Sequence, residues 1–181
     1  GGNAAVYIEQ ASQGGESTQT DVYVTGPVTV GGDLYFKVFD STADGAITFN
    51  EAVTAGGNVT VAGDGTIYVL DTLDSQGKVT LQAGAGVAVP DNDLFDGLIT
   101  AYGLDVFAQA DAYLNVNLTG GALFANAAFI TVRSKSGPLP ISYLNASAGG
   151  VDVLVEDTAG TDDSIILNSD SYIRAGGRVR L

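Results

Sequence analysis

The sequence predicts an all-β protein, folded as a parallel β-solenoid. Three observations carry this reading. Short runs alternate apolar and polar residues with a period of two, bounded by Gly, Asp, Asn or Pro, which is the grammar of half-buried strands and turns. Glycine pairs recur along the chain, most of them opening a segment of one kind. Helical spacing is nearly absent: its best candidates, Leu94 to Leu98 and Asp105 to Ala112, are short and uncapped. The alternative in the same class is an antiparallel sandwich or jelly roll, with longer strands joined by hairpins. Asn-Gly, the strongest two-residue hairpin signal, never occurs, whereas Asp-Gly occurs at 44–45, 64–65 and 96–97.

Taken in chain order, the first strand contains Val6-Tyr-Ile8, and Val28-Thr-Val30 follows. Leu34–Phe39 and Ala46–Phe49 flank an acidic loop, with Ile47 and Phe49 facing one way and Thr48 the other. Val59-Thr-Val61, Ile67-Tyr-Val69, Val79-Thr-Leu81 and Val87-Ala-Val89 repeat the pattern at short intervals. Leu114-Asn-Val116-Asn-Leu118 is longer, and Val151-Asp-Val153 comes late. TVRSKSGP places Arg133 and Lys135 on the outward face of a strand entering a turn.

Glycine pairs stand at 14–15, 31–32, 56–57, 120–121, 149–150 and 176–177. Five of them sit in TVGGDLYFKV, TAGGNVTVAG, LTGGALFANA, SAGGVDVLVE and RAGGRVRL, each leading into an alternating run. The long interval after the pair at 56–57 has room for two or three more units, with 63–65 (Gly-Asp-Gly) and 84–86 (Gly-Ala-Gly) as degenerate pairs. In a solenoid each coil of ~20–30 residues supplies two or three short strands, stacked ~4.8 Å from the previous coil. Glycines then belong at corners, where positive φ is expected of them.

The run GAITFNEAVTAGGNVTVAGDGTIYV resembles the β-helical repeats of filamentous-haemagglutinin-like exoproteins and giant bacterial surface adhesins. The likeness is one of repeat style, good over residues 20 to 90 and looser elsewhere. It implies a right-handed parallel β-helix serving as an extracellular stalk or adhesive surface. The amino-terminal secretion signature of such exoproteins is not seen, so an internal segment or mature form of a longer extracellular protein is expected, folded as one solenoid domain over 1–181.

Composition narrows the function. The formal net charge is −14, from 21 acidic and 7 basic residues, a surface that repels nucleic acid and anionic lipid. Hard divalent cations are the partners such a charge invites. Cys, His, Met and Trp are all absent. The usual ligands of zinc, copper and iron–sulfur sites are therefore missing, and Ser-His-Asp or Cys-His catalysis is impossible within the chain. No apolar run approaches the ~18–20 residues of a membrane-spanning helix, so membrane insertion is not expected.

The sharpest local motif is DSTADGAITFNE at residues 40–51. Its spacing resembles an EF-hand loop: Asp40, Thr42 and Asp44 offer side-chain oxygens, Ala46 a carbonyl, Glu51 a bidentate carboxylate, and Gly45 the sharp turn. The flanks argue against a complete hand, because Gly31-Gly32 and Gly56-Gly57 leave barely a turn of helix on either side. A calcium-binding corner of another kind and a plain solvated turn both remain open. DNDLFDG offers a second candidate calcium site in Asp91, Asp93 and Asp96.

No catalytic constellation stands out, and a non-enzymatic module is expected. The leading function is a structural or adhesive part of an extracellular surface protein or filament, calcium-stabilised and self-associating through open strand edges or neighbouring repeats. Cell-surface glycans are a further partner class. The alternatives are a pilus-like or surface-layer subunit polymerising by strand donation from residues 6–8, and a carbohydrate-binding or polysaccharide-cleaving β-helix.

Overall fold

A computed structural model describes residues 2–10, 21–40, 45–156 and 163–181. The chain winds through successive rungs. The first holds β1 (Ala4–Gln10), β2 (Val22–Val24) and β3 (Val28–Val30); the second β4 (Leu34–Asp40), β5 (Ile47–Phe49) and β6 (Val53–Ala55). The third holds β7 (Val59–Gly63), β8 (Ile67–Val69) and β9 (Thr72–Ser75). The fourth holds β10 (Lys78–Ala83), β11 (Val87–Ala88), a small hairpin of β12 (Asp91–Asn92) and β13 (Phe95–Asp96), and β14 (Leu98–Ala101). Then come β15 (Gly103–Ala108) with β16 (Ala112–Leu118), and β17 (Leu123–Ala127) with β18 (Ile130–Ser134). The last two rungs are β19 (Leu139–Ala146) with β20 (Val151–Val155), and β21 (Ile165–Ala175) with β22 (Val179–Arg180).

Each strand pairs in parallel with its counterpart one rung away. Ala4 lies beside Leu34, Leu34 beside Val59, Val59 beside Val79, Val79 beside Leu104 and Leu104 beside Leu123. This is the parallel β-solenoid the alternation predicts. Among the described residues only β12 and β13 pair antiparallel, so the hairpin-joined sandwich is not the fold. The first face is an eight-stranded sheet running from β1 to β21. A second face runs β2-β5-β8-β11-β16-β18-β20-β22, and a third runs β3-β6-β9-β14. The second and third merge at β16, which carries Ala112 beside Val87 and Val116 beside Ile99. Leu114 to Leu118 reads as one long run because it serves two faces.

The inward residues stack in columns. On the first face Val6, Phe36, Val61, Leu81, Val106, Ala125, Leu144 and Ile173 follow one another, and the central six of these are buried. Full burial of a Val or Leu contributes about 1.5–3 kcal/mol. A second column shrinks from Ile8 and Val38 to Gly63 and Ala83. The space at Gly63 is taken from across the core, since a Cβ there would lie 2.7 Å from the Ile47 δ-methyl. Leu94 to Leu98 and Asp105 to Ala112, the stretches closest to helical spacing, fall in the hairpin and in β15 and β16 instead.

The glycine pairs do not all mark one position. Gly31-Gly32, Gly56-Gly57 and Gly120-Gly121 precede first-face strands, whereas Gly149-Gly150 and Gly176-Gly177 precede second-face strands. Gly63-Asp64-Gly65 and Gly84-Ala85-Gly86 belong to that second corner. The units missing between 56 and 120 open instead at Gln76-Gly77 and Tyr102-Gly103. Nor is positive φ the reason for the corner glycines: among the described residues only Gly137, at φ 70° in the turn after β18, adopts it. The corners need glycine because rungs touch there. A Cβ on Gly56 would sit 2.5 Å from the Gly31 carbonyl oxygen.

The residue after the glycine pair is Asn3, Asp33 and Asn58 in the first three rungs, and these side chains form a ladder. Asn3 Oδ1 accepts from the Asp33 backbone N–H at 2.9 Å, Asp33 Oδ1 from Asn58 at 2.7 Å, and Asn58 Oδ1 from Lys78 at 2.9 Å. Each satisfies a corner amide that the β-ladder leaves over. Asn58→Leu is expected to lower stability by about 1 kcal/mol, while Asn58→Ser, which keeps a side-chain acceptor without setting a second carboxylate beside Asp33, loses less. Urea titrations of the two variants check this; equal midpoints would remove the ladder's role.

Candidate functional site

Of the predicted metal ligands the structure describes Ala46 and Glu51 in the first motif and Asp91, Asp93 and Asp96 in the second. Asp40 ends β4, and Thr42 and Asp44 lie outside the described residues, as does the Asp40 side chain. Ala46 is already engaged: its carbonyl accepts from the Val22 N–H at 2.8 Å and its N–H donates to Asp21 Oδ1 at 2.9 Å. Glu51 is exposed at a bend before β6. The loop is flanked by strands on both sides, as the short flanks require. Ile47 and Phe49 point into the core, and Thr48, between Tyr23 and Tyr68 in its outer column, is buried as well.

DNDLFDG is a hairpin that departs from the regular coil. Asp91 faces Asp96 and Asn92 faces Phe95 across it. Asn92 Oδ1 accepts from the N–H groups of Leu94 (2.9 Å) and Phe95 (3.2 Å), the Asx turn that shapes the tip. The Gly97 N–H donates to the Pro90 carbonyl at 2.8 Å and closes the base. Leu94 at the tip is 83 % exposed, and Asp93 and Asp96 are exposed beside it. Among the described residues no group of three or more acidic side chains converges as a metal site.

Asp91 has a cationic partner in the protein itself. Lys135, in the turn after β18, sets its Nζ against Asp91 Oδ2 and, at 3.1 Å, against Glu156 Oε1. The bond to Asp91 raises the Lys135 pKa above the ordinary 10.5; burial pulls the other way, and Glu156 adds to the rise. A raised lysine pKa means stability fully present below the unfolded value and lost as pH climbs through the folded one. Lys135→Met is therefore expected to lower the melting temperature by a constant amount at neutral pH, on the order of 1 kcal/mol in stability. On the alkaline side the difference from the unaltered chain should shrink only above about pH 10.5. Thermal melts of both proteins across pH test this, and a gap that closes already near pH 8 would count against it.

No family model, curated protein or solved structure matches this chain. The surfaces themselves must therefore carry the functional argument.

Two outward surfaces are distinctive. On the first face Phe107, Phe124, Tyr143 and Tyr172 form a continuous aromatic row, with centroid distances of 5.2, 4.7 and 5.4 Å. Phe124, Tyr143 and Tyr172 lie nearly parallel, at 13° and 17°. Such rings spend their faces on one another and turn their edges to water, so the row is a ladder and not a flat sugar platform. Asn126 and Asn145 run alongside and bond side chain to side chain at 2.7 Å. Of the eight tyrosines, Tyr35 and Tyr143 are half-buried and the other six exposed.

On the second face a groove of about 510 Å³ is lined by Tyr113, Phe129, Thr131, Asp152, Arg178 and Arg180. It adjoins a hollow of about 380 Å³ beneath the hairpin, lined by Asn92, Tyr113, Asn115 and Arg133 among others. Arg133 does face outward, as the sequence implied. Three of the seven basic residues thus lie along one face of a strongly acidic molecule. Arg178 and Arg180 stand two apart in RAGGRVRL, and only the ladder register adds Arg133, for which the sequence held no signal beyond alternation.

The end rungs differ from all others. Val6 is 38 % exposed although Phe36, next in its column, is 6 % exposed and Val61 fully buried. At the other end Leu144 is fully buried, whereas Ile173 is only partly so and Val179 is 44 % exposed. Among the described residues the columns stop there, with β1, β2 and β3 presenting one set of unpaired edges and β21 and β22 the other.

Proposed function

We propose that this chain is a non-enzymatic structural module: a stiff, acidic β-solenoid segment of an extracellular surface protein or filament, which extends by adding rungs and self-associates. One observation carries the reading. On two faces parallel ladders and core columns run from the first rung to the last, with bulges at β19, and among the described residues they end as open edges over half-exposed core residues. A solenoid's stability is a sum of rung and interface contributions, so each added rung lowers the free energy of the one it covers. The repeat style shared with bacterial adhesins supports the same reading. The strand-donating subunit loses its support, since the sandwich it depends on is not the fold.

Sedimentation velocity and negative-stain microscopy of the 181-residue chain test this. Particles of constant width that lengthen with concentration are expected; a strict monomer at the highest attainable concentration overturns the self-association reading. Calcium enters as a stabiliser of the 40–51 loop. Titration calorimetry and melting with and without chelator check that part, and absence of both heat and shift retires it.

A glycan-binding role is favoured by the second-face groove, where Tyr113 and Phe129 offer ring surface beside guanidinium groups. Glycan-array binding that Tyr113→Ala reduces about tenfold or more, the loss of roughly 1.4 kcal/mol, is the expected result. An array without hits removes this role and leaves the structural one standing.

A further inference from the structure

Resting on the self-association reading, we infer that copies of this chain join head to tail, β21 and β22 of one copy adding to the edges of β1 and β2 of the next, which are unpaired among the described residues. The polarity follows from strand direction and from charge. Every inter-rung pair among the described residues is parallel, and only head-to-tail stacking continues a parallel ladder across a junction. Head-to-head or tail-to-tail stacking would face strands antiparallel and abandon the register that fills the columns.

The charges are arranged to match. The first rung, up to Val30, holds Glu9, Glu16 and Asp21 and no Lys or Arg, whereas the last, from Ile165 to the end, holds Asp170 against Arg174, Arg178 and Arg180. Two first rungs brought together repel; a first rung against a last rung attracts. Continuing the existing register one step sets Ile173 beside Val6, Arg174 beside Tyr7 and, on the second face, Val179 beside Val22. Arg178 then falls opposite Asp21. The chain already uses such a stack internally, with Arg180 Nη1 3.4 Å from Asp152 Oδ2 one rung away. Arg174 over the Tyr7 ring adds a cation–π contact, since Tyr7 is 69 % exposed. A head-to-tail contact of this kind is heterologous and does not close, so it generates filaments.

The test uses two blocked chains. Val6→Asp closes the first rung and leaves the last intact; Val179→Asp with Arg174→Glu closes the last and leaves the first. A parallel pair built on exposed side chains, Tyr7→Lys at one end, which sets a like charge against Arg174, and Arg174→Glu with Arg178→Glu at the other, covers the case of a misfolded apolar variant. Each blocked chain alone is expected to sediment as a monomer, and mixing the two ends is expected to give a heterodimer of twice the mass with no further growth. A blocked chain that still dimerises alone overturns the polarity while leaving self-association intact. A mixture that stays monomeric, when the unaltered chain assembles, overturns the end-rung contact. An unaltered chain that never assembles overturns the function reading itself.

Discussion

Leu81→Ala is expected to destabilise the protein by about 2–5 kcal/mol, the largest effect of any single truncation considered. Leu81 is fully buried at the centre of the first-face column, between Val61 and Val106, which are fully buried too. Removing its branched end leaves a cavity whose walls are β-branched side chains held in two ladders, and such walls collapse poorly. The position along the solenoid matters as much as the residue. A change in the fourth rung weakens its interfaces with both neighbouring rungs, because the β-ladders join each rung to those beside it. Val6→Ala, in the same column but half out in water, is expected to remove less than about 1 kcal/mol. Urea denaturation of both variants, read as midpoint shifts, checks the ratio. Equal shifts would mean that the columns are not a continuous core.

The same contrast shows what the sequence disclosed. Alternation identifies which side chains point inward: the runs at Val28, Val59, Ile67, Val79, Val87, Leu114 and Val151 all lie in strands with apolar residues turned to the core. It does not say which face a strand joins, because every face reads alike. The glycine pairs at 56–57 and 149–150 open similar segments yet belong to different corners, a distinction set by how many residues lie between strands. The Asn3–Asp33–Asn58 ladder had a visible signal, Gly-Gly followed by Asn or Asp, that goes unnoticed while only the glycines are counted. Lys135 and Asp91 had none: they meet because a hairpin interrupts one rung and a turn two rungs later reaches back to its base. The acidic loops looked like metal sites on spacing alone, and for Asp91 the fold supplies an ammonium group as the partner. The charge gradient from first rung to last was present in the sequence, but it gains meaning only once the rungs have an order.

Gly84→Ala is the second large effect, and it tests why the corners are glycine. A Cβ there would stand 2.1 Å from the Asp64 carbonyl oxygen, 2.7 Å from its carbonyl carbon and 2.9 Å from its Cα. All three are backbone atoms of the preceding rung. They are held in place by the bonds from Gly84 N–H to the Gly63 carbonyl (2.9 Å) and from Ala85 N–H to the Gly65 carbonyl (3.2 Å). Relieving the overlap means moving one rung about 1 Å from the other, which stretches both bonds beyond useful length. Overpacking and two weakened hydrogen bonds together are expected to remove about 2–4 kcal/mol. Gly149→Ala meets the exposed Phe129 ring instead, a side chain free to swing aside, and is expected to lose less. Gly26→Ala meets nothing within 4 Å and should be neutral or slightly stabilising, since alanine narrows the unfolded ensemble. The order Gly84, Gly149, Gly26 in loss of urea midpoint is the signature of rungs in backbone contact. Were Gly84→Ala as benign as Gly26→Ala, the rungs would not be touching at that corner, and the close stacking on which the filament reading depends would be lost.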